Sequence, residues 1–237
     1  MLPRMTSAPS LPQAEPPRLA DPVRRLLEML GSADRSPPQR TLIALAGLPG
    51  SGKSTLAAAW TQAVNAQAGP GAMVALGMDG FHLSRAALAR FPDPAAALRR
   101  RGAPWTFDPQ ALAGQLQALR QPCTADAAPV DWPGFEHGVG DPVEAALSVA
   151  PGTRLVLVEG LYLLHKDHGW DVASAFDERW FLDVPLTTAC ERLARRHMAT
   201  SDQSLAQAQE RIAVNDRLNA GIVLTTRSGA DWLVAVD

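Results

Sequence analysis

Apolar residues along the chain gather in five short runs bounded by turn formers, with helical patterns between them. The runs are Thr41 to Ala46, Met73 to Met78, Leu155 to Val158, Arg179 to Val184 and Trp232 to Val236. Short apolar runs of this kind read as strands buried on both faces. Lys53 to Ala66 contains no Pro or Gly and is rich in Ala, so it reads as a helix. Asp108-Pro109 is a helix start with Pro at the first helical position, and Leu112, Leu116 and Leu119 then recur on one face. Pro185 opens another helix, with Leu186, Cys190, Leu193 and His197 on one side, and Ser204 to Leu218 predicts a further one. Before the first strand, Val23 to Leu30 predicts a short helix that Pro37-Pro38 stops. Strands alternating with helices predict an α/β fold, a three-layer α/β/α sandwich with a mostly parallel sheet. Ligands of such sheets lie outside the carboxyl ends of the strands, which says where chemistry should be sought.

The 237 residues suffice for one sizeable domain, read as 23–237, preceded by a tail at 1–22. That tail is rich in Pro, Ser and Ala and is expected to be disordered. The net charge of −2 leaves no basic footprint, so no nucleic-acid partner is expected. Cys123 and Cys190 lie far apart and form no metal or disulfide pattern, which fits a cytoplasmic protein. No apolar run approaches the roughly 20 residues of a membrane span, so no membrane partner is expected either.

Between the first apolar run and the first helix stands Gly47-Leu48-Pro49-Gly50-Ser51-Gly52-Lys53-Ser54-Thr55. This is the G-x-x-x-x-G-K-[ST] phosphate-binding loop, in the strand–loop–helix order that it requires. The glycines let backbone N–H groups approach an anion closely, and the helix that follows points its positive end at it. Lys53 reaches the β- and γ-phosphates of a nucleoside triphosphate, and the Ser54 hydroxyl ligates Mg²⁺. The sandwich is therefore expected to be that of a P-loop NTPase.

Two further runs end in carboxylates on the same rim. Met78-Asp79-Gly80-Phe81-His82 places Asp79 where it can take a proton from an attacking hydroxyl or help to hold Mg²⁺. Glu159, after Leu155 to Val158, has the Walker-B position, whose usual work is Mg²⁺ coordination. The basic cluster Arg99-Arg100-Arg101 precedes Trp105 and suits an anionic substrate as well as it suits a solvated helix end. Arg192 and Arg196, four apart, share a face of the helix after Pro185 and are candidates for a lid over the transferred phosphoryl group, whereas Arg195 faces Glu191. His165-x-x-His168 reads as a surface loop rather than a metal site. His82 and His137 each lie inside a segment near the expected site.

The phosphate loop, Met78-Asp-Gly-Phe-His82, the Arg-Gly-Ala-Pro-x-Thr-Phe-Asp stretch ending at Asp108 and Val158-Glu-Gly-Leu-Tyr162 together resemble the group of pantothenate kinase, uridine kinase and phosphoribulokinase. The likeness is nearest to bacterial nucleoside/nucleotide kinase members, some labelled fructose-transport kinases, and spans about residues 40–237. The resemblance implies ATP and Mg²⁺, with transfer of the γ-phosphoryl group to a hydroxyl of a small-molecule acceptor. It implies that Asp79 is the base and that Glu159 supports Mg²⁺. Pro133 to His137 looks like the segment that lines the acceptor pocket in relatives, within an insertion at about 91–140 that also carries Arg101 and Trp105. Asn215-Asp216 and Asn219 resemble a run near the nucleotide in close relatives, with no role that the residues themselves declare. The group also contains many dimers, which makes a homodimer one expected assembly.

A different reading is a P-loop ATPase that acts as a switch or chaperone for a protein partner. The chain lacks an Asn-Lys-x-Asp guanine motif, and its rim carboxylate and insertion favour a small acceptor. Pantothenate, a nucleoside and a sugar all offer a suitable hydroxyl, and the residues do not choose among them.

Overall fold

A computed structural model describes residues 20–32, 38–124, 126–136, 140–201 and 204–235. The first helix, α1 (Ala20–Gly31), leads into β1 (Thr41–Gly47), the phosphate loop and α2 (Lys53–Ala68). β2 (Met73–Gly77) ends in a single 3₁₀ turn, Met78–Phe81, and is followed by the short helices α3 (Arg85–Leu88) and α4 (Pro94–Arg99) and by α5 (Pro109–Leu119). A hairpin, β3 (Val130–Glu136) and β4 (Asp141–Val149), precedes β5 (Leu155–Gly160) and β6 (Glu178–Asp183). The C-terminal part runs through α6 (Leu186–Ser201), α7 (Leu205–Arg211), a turn of π-helix at Ile212–Asp216, α8 (Arg217–Thr225) and β7 (Trp232–Ala235).

Five strands form one sheet in the order β2-β5-β1-β6-β7, with every pair parallel. The sheet is flanked by helices, as the alternating pattern predicts. β1 lies at its centre, and all seven of its residues are buried. That placement aims the turn after Gly47 out of the middle of the carboxyl edge. Beside it, Leu45 is in register with Glu159 of β5, and Leu76 with Val158, so that the ends of β1, β5 and β2 lie on one rim.

Helix starts follow the sequence signals closely. Asp93 and Asp108 cap α4 and α5 by accepting from the N–H groups of Ala96 and Ala111, and each is followed by Pro. Ser204 and Gln207 make a reciprocal capping box at α7. α1 begins at Ala20, so residues 20–22, read as the end of a tail, are its first turn, and Asp21 there pairs with Arg24 at 2.8 Å. The rest of the expected tail lies outside the described residues.

Three further departures have physical causes. The pattern from Ser204 predicts one helix to Leu218, but the chain makes α7, the π-turn and then α8 out to Thr225. The hairpin β3–β4 falls across the end of the expected insertion and was not foreseen. Its strands contain Pro133 and Pro142, and β4 is exposed from Val143 to Ser148, so neither shows a buried strand's run. His165, read as part of a surface loop, is buried at 6% exposure beside the Tyr162 ring, and only its partner His168 is exposed.

The hairpin is fixed to the end of β2. Trp132 is fully buried, its indole N–H donates to the Gly77 carbonyl at 2.9 Å, and its ring meets Phe81 edge to face with centroids 5.0 Å apart. Gly80 lies so close to the backbone of Pro133 that a side chain there would collide with it. Trp132→Ala should therefore remove packing and one hydrogen bond together. We expect a loss of about 3–5 kcal/mol, read from urea denaturation.

Burial also lowers the pKa of His165, so the fold resists protonating an imidazole that the unfolded chain protonates readily. Stability should fall as pH drops below about 6.5 and level off beneath the lowered folded-state value. Melting temperatures measured from pH 8 to pH 5 should show this decline, and His165→Phe should flatten it.

Candidate active site

The loop after β1 packs tightly against α6. Gly50 has a positive φ of 79°, and a side chain there would run into the Ala189 carbonyl and Leu193. Gly52, at φ 97°, hands the chain into α2. Ser51 is wholly buried, and its carbonyl accepts from Arg192 Nη1 at 3.0 Å. The loop is thus held from outside by the helix after Pro185.

Lys53 is 7% exposed and turns its ammonium back along the loop, donating to the carbonyls of Gly47 at 3.0 Å and Leu48 at 2.9 Å. Burial lowers its pKa, and Glu159 and Asp79 oppose that by favouring the charged form, while Arg196 adds to the lowering. The Ser54 hydroxyl donates to Glu159 Oε1 at 2.8 Å. Burial pushes the Glu159 carboxyl above the ordinary range, Lys53 pulls it back, and Asp79 raises it again. Lys53 and Glu159 thus each favour the other's charged form against the cost of burial.

These groups line one cleft of about 470 Å³. Pro49, Gly50, Gly52, Lys53, Ser54 and Thr55 form one wall, Asp79 and Glu159 to Leu161 another, and Arg192 with Arg196 a third. The structure therefore brings together the loop, both rim carboxylates and both arginines read from the sequence. Arg195 instead faces Glu191 at 3.9 Å. The paired hydroxyl and carboxylate of Ser54 and Glu159 are hard oxygen donors, which fit Mg²⁺. Among the described residues no three His, Cys, Asp or Glu gather as a self-sufficient metal site.

The other candidates sit to one side, around Asp79. Segment 81–83 runs against 106–108, through hydrogen bonds from Asp108 N–H to the Phe81 carbonyl at 2.8 Å and from Leu83 N–H to the Thr106 carbonyl at 2.9 Å. The His82 ring lies against Phe107 and Phe135, with centroids 3.9 and 4.6 Å away, and its Nδ1 meets the Asp79 carbonyl at 2.8 Å. Trp105 packs against Phe91 at 5.9 Å. Arg101 donates to the Leu83 carbonyl at 2.9 Å and to Asp141 at 3.0 Å, bonds the Gly140 carbonyl as well, and stands over the Phe135 ring. Its guanidinium is engaged with protein, which weakens the case for it as an anion anchor. His137 lies outside the described residues.

Sequence reading missed Arg100. Its Nη1 donates to Asn215 Oδ1 at 2.7 Å and to the Val214 carbonyl at 3.1 Å, and its Nη2 donates to Asn219 Oδ1 at 3.1 Å. Nothing in the triple-arginine run distinguishes Arg100 from its neighbours. The only signal was the otherwise unassigned Asn215 and Asn219.

No protein-family profile matches the chain. It is 41% identical over 152 residues to an ATP-dependent kinase-like protein, notR′, of Aspergillus versicolor, covering 63% of this chain and 88% of that protein. A crystal structure from Silicibacter sp. TM1040, described provisionally as a fructose transport system kinase, superposes with a TM-score of 0.79 at 33% identity, across 91% of this chain and 98% of that one. A Schizosaccharomyces pombe protein provisionally named a uridine kinase shares 37% identity over 191 residues, which is 78% of each chain. Identity so extensive reaches well past a shared architecture, and the chain belongs to the P-loop kinase family.

Proposed function

We propose that this kinase transfers the γ-phosphoryl group of ATP to a hydroxyl of a small metabolite, of pantothenate, nucleoside or sugar type. The observation that carries the reading is the placement of Asp79. It lies in the cleft of Lys53, Ser54 and Glu159, at the foot of a wall built from His82, Phe107 and the β3–β4 hairpin. A switch ATPase needs a water-positioning group but no such side wall.

In this reading the loop N–H groups and Lys53 hold the β- and γ-phosphates, and Lys53 neutralises charge as it builds in the transition state. Ser54 and Glu159 would hold Mg²⁺, whose charge would offset that of the phosphates. The acceptor hydroxyl approaches in line from the hairpin side, and Asp79 takes its proton. The Asp79 carbonyl is already tied to His82, which fixes the backbone that presents this base. Arg192 and Arg196 face the cleft from α6 and complete its positive wall.

Lys53→Ala should abolish transfer, and ATP consumption measured against a panel of vitamins, nucleosides and sugars should identify the acceptor. Acceptor-stimulated turnover is expected; ATP hydrolysis that no member of the panel accelerates would instead favour the switch reading.

The two carboxylates should separate in kinetics. Asp79→Asn should lower kcat about 10²–10⁴-fold with ATP affinity near normal. Glu159→Gln should raise the Mg²⁺ concentration needed for half-maximal rate. Titrating Mg²⁺ against both variants checks the assignment, since swapped roles would reverse the pattern.

A further inference from the structure

Helix α6 is tied at two places. Towards the nucleotide side, Arg192 holds the Ser51 carbonyl and Ala189 abuts Gly50. One turn further on, His197 Nε2 pairs with Asp216 Oδ2 at 3.0 Å, both side chains being largely buried. Asp216 closes the π-turn Ile212–Asp216. A π-turn widens the helix and disturbs its carbonyl ladder, and such turns persist mostly where function retains them.

Arg100 fills that disturbance. Its guanidinium donates to the Val214 and Asn215 carbonyls at 3.1 and 3.3 Å, to Asn215 Oδ1 at 2.7 Å and to Asn219 Oδ1 at 3.1 Å. Asn215 Nδ2 returns a bond to the Arg101 carbonyl at 3.1 Å. Asn219 is 3% exposed, so its amide is held in place. Only a planar fork of donors can serve so many acceptors at once. From the same short segment, Arg101 reaches Leu83, Gly140 and Asp141 of the hairpin side, and the Gly102 carbonyl accepts the Tyr162 hydroxyl at 2.6 Å beyond the end of β5.

A continuous series of hydrogen bonds and packed backbone thus runs from the phosphate loop through α6 and the π-turn to the acceptor wall. We propose that Arg100 is a positioning residue that locks the arginine-bearing helix α6 to segment 99–106, so that a nucleotide on the loop also orders the acceptor side. The proposal rests on the kinase reading above. A tie that served stability alone would hold equally with and without nucleotide, whereas a coupling element must transmit its presence.

Hydrogen exchange on the full chain, with and without Mg²⁺ and the non-hydrolysable ATP analogue AMP-PNP, tests this. In the wild type the analogue should slow exchange at 47–55 and, by about fivefold or more, at 99–106. Arg100→Ala should keep the first effect and lose the second. Should Arg100→Ala melt below the assay temperature, Asn215→Ala, which deletes one side-chain acceptor and leaves the backbone carbonyls in place, carries the same comparison. Wild-type slowing confined to 47–55, or slowing at 99–106 that survives in the variant, would overturn the proposal. An absence of slowing at 47–55 in the wild type would remove the kinase reading itself, and the coupling with it.

Discussion

A buried ammonium must be surrounded by oxygen, and the arrangement of this rim follows from satisfying Lys53. Its pKa is lowered by burial, so the charge survives there only with compensation. Two loop carbonyls provide part of it directly, and Glu159 and Asp79 provide the rest through the field they share. The Glu159 carboxylate would in turn be costlier without the lysine, since burial raises its pKa and Lys53 draws it back down. The three groups come from the ends of three strands or the turns that follow them. The parallel order β2-β5-β1 is what delivers them to one place. Sheet topology and site electrostatics are therefore one constraint seen at two scales.

The hairpin side of the cleft depends on a different interaction. Among the described residues, the hairpin β3–β4 forms a two-stranded sheet of its own. It is carried by Trp132 against Gly77 and Phe81, by the close approach of Pro133 to Gly80, and by Arg101 reaching across to Asp141. The first two of these anchors lie within two residues of Asp79. The hairpin is thus built on the backbone that carries Asp79.

Much of this was legible in the chain because it is local. A loop of nine residues, strand ends marked by Asp79 and Glu159, and capping pairs such as Asp108-Pro109 each declare themselves within one turn or strand. The five sheet strands were found because each carries a short, mostly apolar run, unbroken and wholly buried in β1. The hairpin stayed hidden because β4 is solvent-facing along most of its length and both strands contain proline. His165 looked like a loop residue because the exposed run Lys166 to Gly169 follows it, and nothing in that run signals its burial beside Tyr162. Arg100 was indistinguishable from Arg99 and Arg101, since which of three adjacent arginines turns inward is decided by Asn215 and Asn219, more than a hundred positions away. Long-range hydrogen bonding to single side chains leaves no periodicity.

The π-turn at Ile212–Asp216 also fixes the phase of everything after it. Each residue of an α-helix advances the side chains by about 100° around the axis. A one-residue deletion in this turn would restore a regular ladder and swing Asn219, Ala220 and Val223 out of the face they now bury. α8 would then have to choose between keeping its apolar contacts and keeping Asn219 on the guanidinium. The segment is consequently far less tolerant of changes in length than of changes in residue type, which is the reverse of what an exposed connection between helices usually allows.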